Sequence, residues 1–149
     1  MVFSSMQAMN TRRIEAGILD SGGDFDISVS PFEVGLGRFI DTQKGQFIGS
    51  KALKTKSRES LLYGIISENL VPAAGFSIMD NENITLAKVT AGTFSPHFKT
   101  GIGYARFYNS GPWIGKQLKI VSNDGSRGYC EIVELPFYDR KKALPTKKL

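Results

Sequence analysis

The sequence is poor in the residues on which covalent and metal chemistry usually depend. Its 149 residues include a single cysteine, Cys130, and a single histidine, His97. One cysteine excludes an internal disulfide framework and cannot by itself build a thiolate metal site, which fits a reducing compartment. One histidine leaves only Ser95 and His97 as neighbouring members of a Ser/His/Asp triad, so we do not expect nucleophilic catalysis.

Long apolar runs and phosphate-binding glycine patterns are also absent. No window approaches the roughly 20 apolar residues that span a bilayer, and residues 1–10 lack the basic and apolar regions of a secretory signal. The pairs Gly35-x-Gly37 and Gly101-x-Gly103 lack the third glycine of a dinucleotide fingerprint. We therefore expect a cytoplasmic chain with no membrane partner and no NAD or ATP site.

Positive charge is concentrated at the end of the chain. The formal net charge is +5, and residues 139–149 contain five Lys and Arg residues, so the remainder is close to neutral. A basic tail of this kind is usually solvated. Nucleic-acid binding by the tail and the aromatic strands is therefore a minor alternative, which strong salt dependence of binding would indicate.

The first 58 residues predict three short helices. Residues 6–16 are compatible with a helix, and Gly17 stands where a left-handed C-terminal cap is favourable. Ser30-Pro31-Phe32-Glu33 has the capping-box pattern, which predicts a second helix that two following glycines keep short. Gly49-Ser50 predicts the capped start of a third helix, which ends near Ser57.

After Arg58 the chain becomes rich in short runs of β-branched and aromatic residues, which predict strands. Asn123-Asp124-Gly125-Ser126 indicates a hairpin, because Asp-Gly tolerates the positive φ angles of a tight turn. The regular turn signals favour a small antiparallel barrel or sandwich, and with the helices they give an α+β fold. The predicted strands cover residues 61–66, 84–90, 102–107, 117–121 and 128–134.

A series of short patterns follows one order along most of the chain. The resemblance they carry is to the folate-dependent aminomethyltransferases, the T-protein of the glycine cleavage system and its relatives, and it covers roughly residues 10–138. The patterns are Arg13-Ile14-Glu15-Ala16-Gly17, Ser30-Pro31-Phe32-Glu33-Val34-Gly35-Leu36-Gly37, Phe47-Ile48-Gly49, Thr90-Ala91-Gly92-Thr93-Phe94-Ser95-Pro96, Ile102-Gly103-Tyr104-Ala105 and Glu134-Leu135-Pro136-Phe137.

The resemblance implies a domain division and a function. Residues 1–58 would be the C-terminal end of the folate-binding domain, residues 59–138 the C-terminal β-barrel domain, and residues 139–149 a basic tail. Members of the family are much longer and supply the catalytic carboxylate from their N-terminal region. We therefore expect the C-terminal part of such an enzyme, as a truncated product or one piece of a split enzyme, inactive alone.

The family transfers an aminomethyl or methyl unit to tetrahydrofolate, which is therefore the expected cofactor. Expected partners are folate and either a missing N-terminal fragment or a lipoyl carrier protein. A non-catalytic folate-binding or interaction module is one alternative. Another is the folate-binding end of a sarcosine or dimethylglycine dehydrogenase, or of a sulfoniopropionate or aromatic ether demethylase.

Arg13 is the residue that the resemblance assigns to the cofactor. A guanidinium can engage a pterin or carboxylate edge bidentately, although a helix arginine is more often solvated. We expect Arg13→Ala to weaken folate binding without unfolding the chain. We also expect Gly17→Val and Gly37→Val to impair folding, since both glycines are predicted to hold positive φ.

No residue of this chain is predicted to be catalytic or to bind a metal. Asp20, Asp24 and Asp26 cluster in sequence, but their spacing differs from that of a calcium-binding EF-hand loop, so we expect an ordinary loop. Cys130 is expected to be a buried strand thiol, and Trp113 to anchor a loop.

Overall fold

The structure, a computed structural model, describes residues 4–139, which form two α-helices, one 3-10 helix and six strands. Apart from Asp139, the predicted basic tail lies outside the described residues. The elements are α1 Met6–Glu15, the 3-10 helix Leu36–Phe39, α2 Ser50–Thr55, β1 Leu62–Ser67, β2 Ser77–Met79, β3 Thr85–Ser95, β4 Thr100–Phe107, β5 Gln117–Val121 and β6 Arg127–Val133.

The strands close into an antiparallel barrel in the order β1-β4-β3-β2-β5-β6, with β6 paired back onto β1. Closure pairs both edges of the sheet, which removes the exposed edge strands of an open sheet. The predicted α+β class and antiparallel barrel are confirmed. The prediction missed β2, because three residues with one buried side chain, Ile78, are too short to show an alternating pattern.

β3 continues beyond the predicted range to Ser95, through a glycine that would weaken most strands. At Gly92 a Cβ atom would lie 2.1 Å from the carbonyl oxygen of buried Pro72, so only glycine admits this approach. The predicted hairpin is confirmed, because β5 and β6 pair across a turn in which Gly125 has φ +90°.

Alternating residues fill the barrel interior. In β6, for example, Gly128, Cys130 and Ile132 are buried while the residues between them are exposed. Trp113 closes over this core as the predicted loop anchor: it stacks on Phe107 with ring centroids 4.7 Å apart and donates its indole N–H to the Asn109 carbonyl. The core consists of Ile65, Ile78, Ala87, Val89, Ala105, Phe107, Ile120, Cys130 and Ile132.

The first helix ends as predicted, with Gly17 in the left-handed conformation at φ +68°. The Ile18 N–H donates to the Arg13 carbonyl at 2.8 Å, and the Gly17 N–H to the Ile14 carbonyl at 3.1 Å. This is the Schellman arrangement. A Cβ atom at Gly17 would also lie 2.8 Å from the Pro136 Cβ, so Gly17→Val is opposed by backbone strain and by a steric clash.

Three details of the N-terminal predictions are wrong. Ser30 and Glu33 form the capping-box hydrogen bonds, yet residues 31–35 are turns, because Gly35 takes φ +74° and interrupts the helical path. α2 begins after a left-handed Gly49 without a side-chain cap. Gly37 is not among the described positive-φ glycines, and it is needed instead because a Cβ there would lie 2.6 Å from the Phe32 ring.

α1 packs against β3 and β4. A second apolar cluster joins the segment before β1 to these strands, and it is separate from the core of the barrel. The C-terminal end of α1 is thereby set against the barrel. The buried residues of this cluster are Ile14, Val34, Leu62, Ala91, Ile102 and Tyr104.

Candidate functional site

Arg13, the residue predicted to contact folate, lies in the last turn of α1 with its guanidinium held on two sides. Nη1 donates to Asp24 Oδ2 at 2.7 Å and to the Ile18 carbonyl at 3.2 Å. Nε donates to Asn10 Oδ1 at 2.8 Å. The Arg13 side chain is 22% exposed, whereas Asp24 is fully buried. The contacts fix the plane of the guanidinium, as charge-assisted hydrogen bonds do.

Asp24 is the buried centre of this arrangement. Its Oδ1 accepts a hydrogen bond from Thr90 Oγ1 at 2.8 Å, and its Oδ2 accepts one from the Asp20 N–H at 2.8 Å. With Arg13 these donors offset the cost of burying a carboxylate. The acidic loop therefore supplies the carboxylate that pairs with Arg13. Within residues 4–139 no group of three His, Cys, Asp or Glu side chains is placed to hold a metal ion.

A β-bulge directs Thr90 toward the loop. Val89 faces Ala105 and Ala91 faces Tyr104, so Thr90 is an extra residue without a partner on β4. A bulge leaves one residue outside the regular ladder and changes its direction. Here the side chain of that residue reaches Asp24, so an irregularity of the barrel helps to hold the residue that orients Arg13.

Tyr104 on β4 holds the end of α1 from the barrel side. Its hydroxyl lies 3.1, 3.0 and 3.2 Å from the carbonyl oxygens of Arg13, Ile14 and Ile18. Carbonyls at a helix end need partners from outside the helix. Burial, reinforced by the Asp24 carboxylate, raises the pKa of Tyr104 well above its ordinary value, so the hydroxyl stays protonated and able to donate.

Ser95 and His97 are not arranged as two members of a Ser/His/Asp triad. Ser95 Oγ donates to the Glu15 carboxylate at 2.5 Å and accepts from the Phe98 N–H at 3.1 Å. The His97 ring packs against the rings of Phe98 and Tyr138, with centroids 4.8 and 5.3 Å away. The serine therefore has a structural role at the end of α1.

Several of the sequence patterns that carry the family resemblance thus converge on one place. The roles of Asp24, Thr90 and Tyr104 were not predicted, because nothing in linear spacing shows that Tyr104 meets α1 or that Thr90 and Arg13 meet at Asp24. The end of α1 contacts Ser95 in residues 90–96, Tyr104 in residues 102–105 and Pro136 in residues 134–137. Thr90 acts through Asp24, which pairs with Arg13, and Phe137 stacks on Tyr104.

One amino group of Arg13 has no hydrogen-bond partner among residues 4–139. Arginine presents five N–H donors in one plane. The contacts above use Nε and Nη1, and Nη2 forms no hydrogen bond with any residue between 4 and 139. A fixed guanidinium with two remaining N–H groups suits a pterin edge or a carboxylate.

Two clefts lie beside the C-terminal end of α1. Arg13 lines neither of them. One, of about 310 Å³, is lined by residues that include Gly17, Leu36, Arg38, Tyr63 and Pro136. The other, of about 620 Å³, is lined by residues that include Arg12, Glu15, His97 and Tyr138. Among residues 4–139 there is also no helix of the length and apolar character needed to cross a membrane.

Comparison with known proteins agrees with the fold. The sequence profile described as the glycine cleavage T-protein C-terminal barrel domain matches residues 63–139. The solved structure of the glycine cleavage system aminomethyltransferase T from Bartonella henselae has a TM-score of 0.77 and 24% sequence identity. That comparison covers 89% of this chain and 38% of the other, and it shows a shared fold.

Two bacterial relatives extend the match beyond the barrel. An aminomethyltransferase of Halothermothrix orenii is 33% identical over 144 residues, or 92% of this chain, and one of Caldanaerobacter subterraneus subsp. tengcongensis is 32% identical over 123 residues, or 79% of this chain. The chain spans 39% and 32% of the lengths of these relatives. It belongs to the glycine cleavage T-protein family, whose C-terminal barrel domain it contains.

Proposed function

We propose that this chain is the C-terminal part of a tetrahydrofolate-dependent aminomethyltransferase, with residues 1–58 belonging to the folate-binding domain and Arg13 contacting the folate. The observation that carries the proposal is the oriented guanidinium of Arg13, whose Nη1 is paired with buried Asp24 while Nη2 has no partner among residues 4–139. Tetrahydrofolate would supply the atom that accepts the one-carbon unit.

The chain's own residues would bind and orient rather than transfer protons. Arg13 would donate two N–H groups to the pterin or to a carboxylate, and Asp24, Thr90 and Tyr104 would keep it from rotating away. Correct placement of two reactants supplies a large part of such catalysis. We assign no catalytic group to this chain and expect no transfer activity from it alone.

Within the family we favour the glycine cleavage reaction, with a lipoyl carrier protein as the aminomethyl donor, over the related demethylations. The aminomethyltransferase names of the relatives support this choice. We also propose a cytoplasmic location, which the single cysteine supports because it indicates a reducing compartment.

The test of Arg13 needs a conservative substitution. Arg13→Ala, which the sequence suggested, would leave the Asp24 carboxylate buried without its cation, a change that typically costs about 3–5 kcal/mol. Arg13→Lys keeps a positive charge for Asp24 but has no planar pair of amino groups. It therefore separates ligand binding from folding.

The measurement is anaerobic calorimetric titration with tetrahydrofolate, with circular dichroism on the same samples. The chain is titrated alone and together with the N-terminal region of an aminomethyltransferase relative. We expect Arg13→Lys to weaken binding roughly tenfold or more through loss of charged hydrogen bonds, and Arg12→Lys, the matched control one residue earlier, to have no effect. Failure of the folded wild-type chain to bind in both forms would overturn the proposal.

A further inference from the structure

The charged residues of the barrel are unevenly distributed over its outer surface. Strand pairing places one row of residues across five of the six strands, and each of them has a buried neighbour along its own strand, so the row faces outward. The row contains three cations and no acidic residue. A chain whose body is close to neutral therefore carries a strip of positive charge. The residues of the row, in order, are Arg106, Lys88, Ser77, Val121 and Arg127.

Beside one end of this row lies a cleft that contains an accessible aromatic ring. Tyr129 is 60% exposed and faces Lys119 across β5 and β6. It lies two residues after Arg127, so both side chains leave the same face of β6. The cleft has a volume of about 300 Å³ and combines the ring with two cations and a side-chain amide. It is lined by Asn69, Lys119, Arg127, Gly128 and Tyr129.

Both cations of this cleft have hydrogen-bond donors left for a ligand. Arg127 forms no hydrogen bond or ion pair with any residue between 4 and 139. Lys119 Nζ donates to the Asn81 carbonyl at 3.0 Å and to Asn83 Oδ1 at 3.2 Å. An ammonium group has three N–H donors, so one remains, and the two contacts hold the charge in place.

The acidic side chains near this surface leave its cations accessible. Glu131 is the next outward residue of β6 and lies on the other side of Tyr129. Asp124, in the turn between β5 and β6, accepts its hydrogen bonds from serines within that turn. Asp26 interacts with the charge of Arg106, so we do not count that arginine as available. An anionic ligand is therefore favoured on the cationic side of the tyrosine ring.

We propose that Lys88, Lys119, Arg127 and Tyr129, which we call the cationic surface, bind single-stranded nucleic acid. A base would stack on the Tyr129 ring, and neighbouring phosphates would accept hydrogen bonds from Arg127 and the two lysines. A stacking ring beside cations is the combination with which other small barrels hold single strands. In a duplex the bases already stack on one another, so an exposed ring selects unpaired bases.

The spacing of the cations favours a strand over a free nucleotide or an acidic polypeptide. Lys88 lies three strands from Arg127, roughly 14 Å along the sheet, so the contacts extend beyond one nucleotide. An acidic polypeptide would pair with the cations, but its carboxylates would leave the Tyr129 ring without a stacking partner.

The first experiment tests stacking by fluorescence anisotropy of the full chain with a labelled oligothymidylate of about 12 nucleotides, a length within the site sizes of single small barrels. The test variant is Tyr129→Thr, which keeps a residue that favours strands. The control is Tyr108→Thr, because Tyr108 is 56% exposed on the same barrel and does not line the cleft. We expect Tyr129→Thr to weaken binding about fivefold or more and Tyr108→Thr to leave it unchanged.

The second experiment tests the phosphate contacts. Lys88→Gln/Arg127→Gln removes two charges from the cationic surface, and Lys147→Gln/Lys148→Gln removes two from the basic tail. The slope of log Kd against log salt concentration should fall by about 1.4 for the first variant, or about 0.7 for each lost contact with a single strand. The tail variant should keep the wild-type slope. Circular dichroism and melting temperatures establish that every variant is folded.

Several results would overturn the inference. Wild-type chain that does not bind the oligonucleotide, or binding that Tyr129→Thr leaves unchanged, would reject the surface. An equal fall in slope for the tail variant would show that general charge attraction accounts for binding. Equal affinity for a duplex, or displacement of the oligonucleotide by polyglutamate at the same concentration of charge, would identify another occupant. None of these measurements involves Arg13 or folate, so the proposed function is tested independently.

Discussion

The barrel and the segment before it are stabilised in different ways. The barrel is a closed sheet around an apolar core of nine buried residues, so strand pairing and apolar burial are supplied within it. Its one buried polar side-chain atom without a hydrogen-bond partner in residues 4–139 is the Ser67 hydroxyl at the end of β1. Residues 4–61 contain two short α-helices, one 3-10 helix and long turns. Their conformation depends on contacts with the barrel, above all those that Asp24, Glu15 and the end of α1 make with Thr90, Ser95 and Tyr104.

The difference shows how a short irregular segment can present a precisely oriented side chain. Few apolar residues of the segment are buried, and isolated helices as short as α1 are marginal in water. Hydrogen bonds to a rigid barrel supply the missing order. We therefore expect damage to the barrel to affect both regions, and damage to the polar contacts to affect the segment alone.

The largest expected effect is on the barrel. Gly92→Ala would place a Cβ atom 2.1 Å from the Pro72 carbonyl oxygen, and because that neighbour is backbone it cannot move aside without disturbing the sheet. We expect the free energy of unfolding to fall by about 3 kcal/mol or more, measured by urea denaturation.

The matched control is Gly23→Ala. Its nearest neighbour is the carboxylate at the end of the flexible Asp20 side chain, so it should change stability by no more than about 0.5 kcal/mol. Equal stabilities for the two variants would show that the approach of Pro72 to β3 does not restrict residue 92.

A smaller and more local effect is expected from Asp24→Asn. The amide retains the shape of the carboxylate but loses the charge that pairs with Arg13, and one of its two polar atoms becomes a donor. We expect the free energy of unfolding to fall by about 2 kcal/mol. We also expect faster amide hydrogen exchange in residues 6–24, with exchange in the barrel unchanged.

Asp26→Asn is the control for this change, because Asp26 is exposed and its carboxylate accepts hydrogen bonds only from Ser28 among residues 4–139. Hydrogen exchange that rises equally in both regions would contradict the division of the molecule into a self-sufficient barrel and a dependent segment.

The smallest expected effect concerns Cys130, the single cysteine, whose rate of reaction with iodoacetamide reports opening of the barrel. Burial raises the pKa of Cys130 to about 12 from its ordinary value of 9.0, so at pH 8 its thiol is protonated and shielded. Iodoacetamide should therefore react far more slowly with Cys130 than with a cysteine introduced by Met9→Cys, because only a thiolate is a strong nucleophile.

The same burial predicts the sign of a pH effect. The folded-state pKa is the higher one, so burial of the neutral thiol contributes stability below pH 9 that is lost as the pH rises toward about 12. Cys130→Ala should reduce the loss of stability between these pH values. Rapid labelling of native Cys130 at pH 8 would show that the barrel opens readily.

Much of the architecture could be predicted from local chemistry. Gly17 predicted the end of α1, Asp124-Gly125 predicted the hairpin, and β-branched runs predicted five of the six strands. The failures have local causes as well. β2 is too short for a pattern, and at Gly37 the need for glycine comes from the nearby Phe32 ring rather than from its own φ angle.

The candidate site was predictable only in part. Arg13 was predicted from its place in a short pattern, and its contact with folate remains a prediction. Its ion pair with Asp24 was not predicted, because the three aspartates of the loop are equivalent in composition and only folding buries one of them. The bulge that turns Thr90 toward Asp24 depends on strand register, which local sequence does not encode.

By itself the sequence determined the α+β class, the order of the strands along the chain, the turn positions and the family, because each depends on residue types at fixed short spacings. Tertiary structure decided that patterns as distant as residues 13–17 and 134–137 meet at the end of one helix. It also decided which face of that helix stays uncovered. Those outcomes depend on strand pairing and barrel closure, which bring together residues far apart in the chain.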